Sequence, residues 1–167
     1  MPKVMQIAVE PLTKHAFRSF GEVVEVTGAE RIGINQGFAE RVNGLAAIDV
    51  ASGDGHVNIS LFEARQRVQP IKLVLMERHP LGSQLFYPLQ DRDWIVVVCG
   101  DPFAPATFHA FRASGRQGVN YARGVWHHPL IVLTDNERFL VVDRGGGEGS
   151  NLEEVALPPE MPLQLAI

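Results

Sequence analysis

The chain has 167 residues, 46% of them hydrophobic and 20% charged, with a formal net charge of −4. That length can bury one sizeable core without disulfide or metal staples. The charge, with no Lys/Arg cluster along the chain, excludes an electrostatic nucleic-acid surface. No apolar run reaches the ~20 residues of a membrane span, and MPKVMQIAVEPL lacks the basic and apolar regions of a secretory signal. The single cysteine, Cys99, cannot form an internal disulfide and is expected as a buried thiol. We therefore expect one soluble domain over residues 1–167, in the cytoplasm, with no nucleic-acid or membrane partner.

In chain order, Thr13 can cap a short helix through Lys14–Phe20, with Gly21 ending it. Beyond it the pattern is β. HVNISLFE (His56–Glu63) alternates, placing Val57, Ile59 and Leu61 on one face. IKLVLMERH (Ile71–His79) puts Ile71, Leu73, Leu75, Glu77 and His79 on one face if it stays extended. DWIVVVC, TFHAFRA, LIVLT and RFLVVD follow, short and rich in β-branched or aromatic residues. Turns are expected at HPLG, CGDPFAP, ASGRQG and TDNE. Strands at this spacing, without helices between them, predict an all-β antiparallel sandwich or barrel with a few short helices. From Asp143 the tail reads as irregular, with RGGGEGSN a flexible loop and LPPEMPLQLAI draped over the body. GGGEG lacks the Lys-Ser/Thr end and following helix of a phosphate loop.

Two segments carry the chemistry: ERHPLGSQLFYPL (Glu77–Leu89) and GVNYARGVWHHPL (Gly118–Leu130). In the first, alternation sends Glu77 and His79 toward the core, where an unpaired charge costs several kcal/mol. A metal, a bound anion or mutual hydrogen bonding would meet that demand. The competing reading has the strand fray before Glu77 and leave both at the rim. Arg78 points the opposite way. Gln84 is either a substrate hydrogen-bond donor or a turn-flanking amide. In the second segment Asn120, Tyr121, Arg123 and His127 surround Gly124, which lets the chain turn closely. Arg123 has the planar fork that suits a carboxylate, and His127 suits general acid–base work or a metal. His128 should face the other way and be structural, and Trp126 should be core or cavity wall. Asn35 and Arg41 in RIGINQGFAER either reach an anion or pin a loop. An acid at a strand end, as Asp143 is, often bonds local backbone. His15, His56 and His109 have no spacing partner.

Together these residues resemble the ureidoglycolate lyase family of allantoin catabolism, once called ureidoglycolate hydrolase. The resemblance runs from PLTKHAFRSFGEVVE (Pro11–Glu25) through INQG (Ile34–Gly37) to VVDRGG (Val141–Gly146), and the two histidine segments are its most specific parts. It implies a cupin-like β-barrel or jelly roll, a homodimer, and cleavage of (S)-ureidoglycolate to glyoxylate and urea. The wider cupin pattern places its metal-ligand positions at Glu77, His79, Gln84 and His127. Such a set would hold a divalent ion such as nickel, zinc or manganese, although Gln84 is a poorer ligand than the glutamate of the pattern. In this scheme His127, His79 and Glu77 are catalytic, and Arg123, Asn120, Tyr121, Gln84 and Asn35 bind substrate. The alternatives are a ureidoglycolate amidohydrolase releasing ammonia and a non-catalytic cupin-type binder of small carboxylates.

Overall fold

Six consecutive apolar residues, Trp94–Cys99, form the strand around which the fold is organised, and all six are buried. A strand covered on both faces reads as a continuous apolar run rather than an alternating one. Its faces serve different cores. Trp94, Val96 and Val98 join Phe86, Val119, Tyr121, Phe139 and Val141 in one cluster. Ile95, Val97 and Cys99 join Ile71, Leu73, Met76, Leu163 and Leu165 in the other. The Trp94 and Phe139 rings meet edge-on at 4.9 Å in the first. Burial of each such side chain stabilises the fold by ~1.5–3 kcal/mol.

The computed structural model describes residues 1–167. The larger sheet runs, in spatial order, Glu153–Ala156, Leu75–Arg78, Trp126–His127, Trp94–Cys99, Phe108–Ala113, Met5–Pro11, Leu163–Ala166 and Lys72–Leu73, with Ile131–Val132 also pairing the Trp94–Cys99 strand. The smaller sheet orders Gly21–Val24, Gly118–Tyr121, Gln84–Pro88, Glu137–Gly145 and His56–Ala64. Strong curling closes them into a half-barrel, so the mainly β, cupin-like expectation holds. Pairing is antiparallel except that Met5–Pro11 runs parallel to both its neighbours. A separate hairpin, Glu30–Ile34 with Ala39–Asn43, pairs with neither sheet. No helix is long and apolar enough to cross a membrane.

Several local expectations change. Thr13 does cap a helix, its Oγ1 accepting from the Ala16 N–H at 3.1 Å, but the helix spans only Lys14–Phe17. Gly21 opens the next strand instead, at a place where a Cβ would collide with the Asn120 carbonyl oxygen. The tail is not irregular: Glu153–Ala156 pairs with Leu75–Arg78, and Leu163–Ala166 pairs with Met5–Ala8. The alternation in His56–Ala64 is real, yet Val57, Ile59 and Leu61 face outward, 52%, 66% and 53% exposed. The segment Ile71–His79 is also not one continuous strand. It breaks at exposed Val74, and Met76 then takes the inward position that Ile71 and Leu73 hold before the break.

Candidate active site

The break at Val74 shifts the phase of the strand by one residue. With Met76 packed into the second cluster, alternation turns Glu77 to the opposite face, toward the barrel interior. Glu77 lies directly across from His127, and His127 directly across from Val98 of the first cluster. Glu77, His127 and Val98 are thus one row across the inner face. Gly124, at φ +74 where glycine alone is unstrained, turns the chain so that its N–H donates to the His79 carbonyl at 2.9 Å. That bond joins the two histidine segments.

Both imidazoles are fixed from behind. His79 Nδ1 lies 2.8 Å from the Asn151 carbonyl oxygen, and His127 Nδ1 lies 3.0 Å from that of Val125. A carbonyl only accepts, so each Nδ1 carries the proton and each Nε2 of the neutral ring presents a lone pair. Neither Nε2 has a hydrogen-bond partner, although both are buried. The rings sit 5.2 Å apart, and Tyr121 stacks on His127 at 4.1 Å and 8°. Glu77 completes the group, its Oε1 3.4 Å from His127 Nε2.

Burial pushes the Glu77 carboxyl up, but its contact with His127 and the electrostatics of the surrounding imidazoles outweigh this and hold it below the usual range. Burial raises the Tyr121 phenol, and Glu77 adds to the rise, so Tyr121 stays protonated. His128 is pushed down to about 4 by burial, with Arg67 and His127 adding to the fall. Its Nδ1 lies 2.8 Å from the Pro129 carbonyl oxygen, a neutral interior imidazole. Burial likewise raises the Cys99 thiol to about 12, with Asp101 contributing. Trp126 lies on the other face from His127, packed against the second cluster beneath the Arg78 guanidinium at 4.5 Å.

The fold therefore brings Glu77, His79, His127 and Tyr121 together. Gln84 joins them: it pairs directly across from Tyr121, is buried, and donates Nε2–H to Asp143 Oδ2 at 3.2 Å. Asn120 faces the opposite side of its strand and donates to Glu22 and the Ala47 carbonyl. The Arg123 fork is filled by Asp49, at 3.0 and 2.7 Å, and by Ser52 at 2.9 Å. That guanidinium holds the Asp49 carboxyl below its usual range. Asn35 lies exposed at the tip of the separate hairpin, and His15, His56 and His109 are exposed. Asn151 and Val125 support the site without having been singled out for it, and Asp143, expected to bond local backbone, instead accepts from the Gln84 and Asn58 side chains. The first two act through backbone carbonyls, which leave no mark on residue identity.

The residues fit a divalent cation. The ligand atoms of Glu77, His79 and His127 lie within 4.8 Å of one another. Ligands ~2.1 Å from one ion at tetrahedral angles sit ~3.4 Å apart, which is the His127–Glu77 separation. A histidine whose far nitrogen is held on a carbonyl is also the usual orientation of a metal-ligating imidazole. A surface cleft of about 580 Å³ lies elsewhere around Lys14, Arg18 and Glu30 and contains no histidine.

A half-barrel carrying two oriented imidazoles and a carboxylate on its inner face defines a cupin-like enzyme site. The family described as ureidoglycolate lyase matches residues 4–164. A ureidoglycolate lyase of Burkholderia mallei is 51% identical over 157 residues, covering 93% of this chain and 91% of its own. One from Brucella ovis is 49% identical over 153 residues, covering 91% and 90%. The chain belongs to the ureidoglycolate lyase family. A dTDP sugar isomerase of Desulfovibrio desulfuricans superposes with a TM-score of 0.46 at 14% identity, over 83% of this chain and 85% of that one, too remote to bear on the site.

Proposed function

We propose that this chain is a lyase that cleaves (S)-ureidoglycolate to glyoxylate and urea in allantoin breakdown. The observation that carries the reading is the pair of unpartnered Nε2 atoms facing Glu77 in a chain of this family. The substrate carbon bears a carboxylate, a hydroxyl and the ureido nitrogen. Its collapse moves one proton from oxygen to nitrogen while the C–N bond breaks and a C=O bond forms. His127 takes the hydroxyl proton on Nε2, where Glu77 stabilises the resulting imidazolium and Val125 holds the ring in place. The same proton, passed directly or relayed through His79 Nε2, then goes to the departing nitrogen, leaving glyoxylate and urea. One positioned acid–base group is worth ~10²–10⁴-fold.

In the alternative with a bound metal, Glu77, His79 and His127 would hold a divalent ion such as nickel, zinc or manganese through the carboxylate and both Nε2 atoms, which would then be ligands and not proton acceptors. When bound, it supplies Lewis-acid stabilisation of charge developing on substrate oxygen. Tyr121 and Gln84 line the ureido arm. Arg123 takes the substrate carboxylate only by releasing Asp49; Asn120 and Asn35 take part only through rearrangement of their segments. We place the enzyme in the cytoplasm as one domain over residues 1–167 and as a homodimer, its outward Val57, Ile59 and Leu61 offering an apolar face to a second copy.

Incubation with racemic ureidoglycolate tests this directly, following glyoxylate, urea and ammonia with and without chelator. Half-consumption with urea and no ammonia is expected. Ammonia in place of urea would make the chain an amidohydrolase, and ligand-induced thermal stabilisation without turnover would make it a binding protein.

A further inference from the structure

We infer that Gln84 is the acceptor that selects a ureido N–H of the substrate, and that Asp143 is the positioning residue that aims it. This rests on the lyase reading above. Asp143 Oδ2 accepts from Gln84 Nε2 at 3.2 Å, and its Oδ1 accepts from Asn58 Nδ2 at 3.1 Å. A carboxylate accepts and does not donate, so both amides must turn their NH2 groups toward Asp143. The amide of Gln84 is thereby locked with its carbonyl oxygen on the other side. That oxygen is buried and has no partner, in a side chain only 5% exposed. Buried carbonyls without a donor are rare enough to require an explanation.

The direction of the orphan follows from the sheet. Gln84 lies across from Tyr121, whose ring stacks on His127, and directly opposed side chains have Cβ atoms ~5 Å apart. Asp143 lies on the far side of Gln84, next to Asn58. The row across the inner face thus reads Asn58, Asp143, Gln84, Tyr121, with His127 against its end. The nearest chemistry that supplies a donor without an acceptor of its own at that spot is the terminal NH2 of a ureido group. A site built around such a hydrogen bond rejects the isostere that lacks it far more strongly than an apolar pocket would.

The test compares kcat/KM for ureidoglycolate with that for its acetamido analogue, in which a methyl replaces the terminal NH2. The wild type should prefer ureidoglycolate by roughly 10- to 100-fold, the scale of one buried hydrogen bond. Gln84→Met should bring the ratio near one. Asp143→Ala should do the same and add nothing in the Gln84→Met background. Asp143→Asn should retain the preference, since its carbonyl still accepts from Gln84 once Asn58 turns over. An equal fall on both substrates in Gln84→Met would overturn the assignment. So would loss of bound zinc from Gln84→Met after loading with zinc, which would make Gln84 a metal ligand. A wild type that turns over both substrates equally removes this role and leaves the lyase reading intact. A wild type that turns over neither removes both.

Discussion

Replacing His127 by Asn isolates the one atom on which the chemistry depends. The Asn Nδ2 can occupy the place of the imidazole Nδ1, so the 3.0 Å bond to the Val125 carbonyl survives while Nε2 disappears. The variant loses the stack on Tyr121, worth ~0.5–1.5 kcal/mol, and some buried area of a residue only 1% exposed. A total of about 2 kcal/mol is expected, which lowers Tm by ~4–8 °C for a chain of this size. The protein therefore remains folded at 25 °C. Removing the base should cost ~10²–10⁴-fold in turnover, or about 2.7–5.5 kcal/mol of barrier. Without its largest opposing partner, burial should also push the Glu77 carboxyl upward. The assay is glyoxylate release under substrate saturation and at low substrate, on protein shown to be folded by near-ultraviolet circular dichroism. Turnover within threefold of wild type would refute the reasoning and take His127 out of the mechanism.

Three further outcomes are expected. His128 titrates near 6.5 when unfolded but at about 4 when folded. The unfolded chain binds the extra proton, so stability falls as pH drops from 6.5 toward 4, by about 3 kcal/mol at most. Urea midpoints of His128→Asn should lose that slope, and an unchanged slope would contradict the burial account. Ile59→Asp, at a position 66% exposed on the outer face, should shift the mass by light scattering from dimer to monomer without lowering Tm; an unaltered mass moves the interface elsewhere. Gly21→Ala forces a Cβ to within 2.0 Å of the Asn120 oxygen and should cost more than ~3 kcal/mol. A Tm equal to wild type would show that the two strands separate there at little cost.

The fold class was legible because strand signals are local: β-branched and aromatic runs between Gly, Pro and Asp turns specify a sheet protein whatever the strands pair with. Thr13 as a cap, Cys99 as a buried thiol and Gly124 as a tight turn follow from local chemistry too. Glu77 and His79 were assigned to the interior by alternation with Ile71 and Leu73, and they do face it. The alternation itself fails, because Ile71 and Leu73 belong to the other core and the break at Val74 supplies the missing half-period. One residue of slip reverses every side chain of a strand, and nothing in the residue types marks where a slip occurs.

Sequence by itself determined which functional groups the chain owns and which short segments carry them, since identity, propensity and turn chemistry are properties of neighbours along the chain. Tertiary structure alone decided which groups meet. It set His127 across from Glu77, held the His79 Nδ1 on the carbonyl of distant Asn151, bound Arg123 to Asp49, and turned the apolar face of His56–Ala64 outward. These are pairings between strands far apart in sequence, chosen by the joint burial of two cores, and no local pattern encodes that choice.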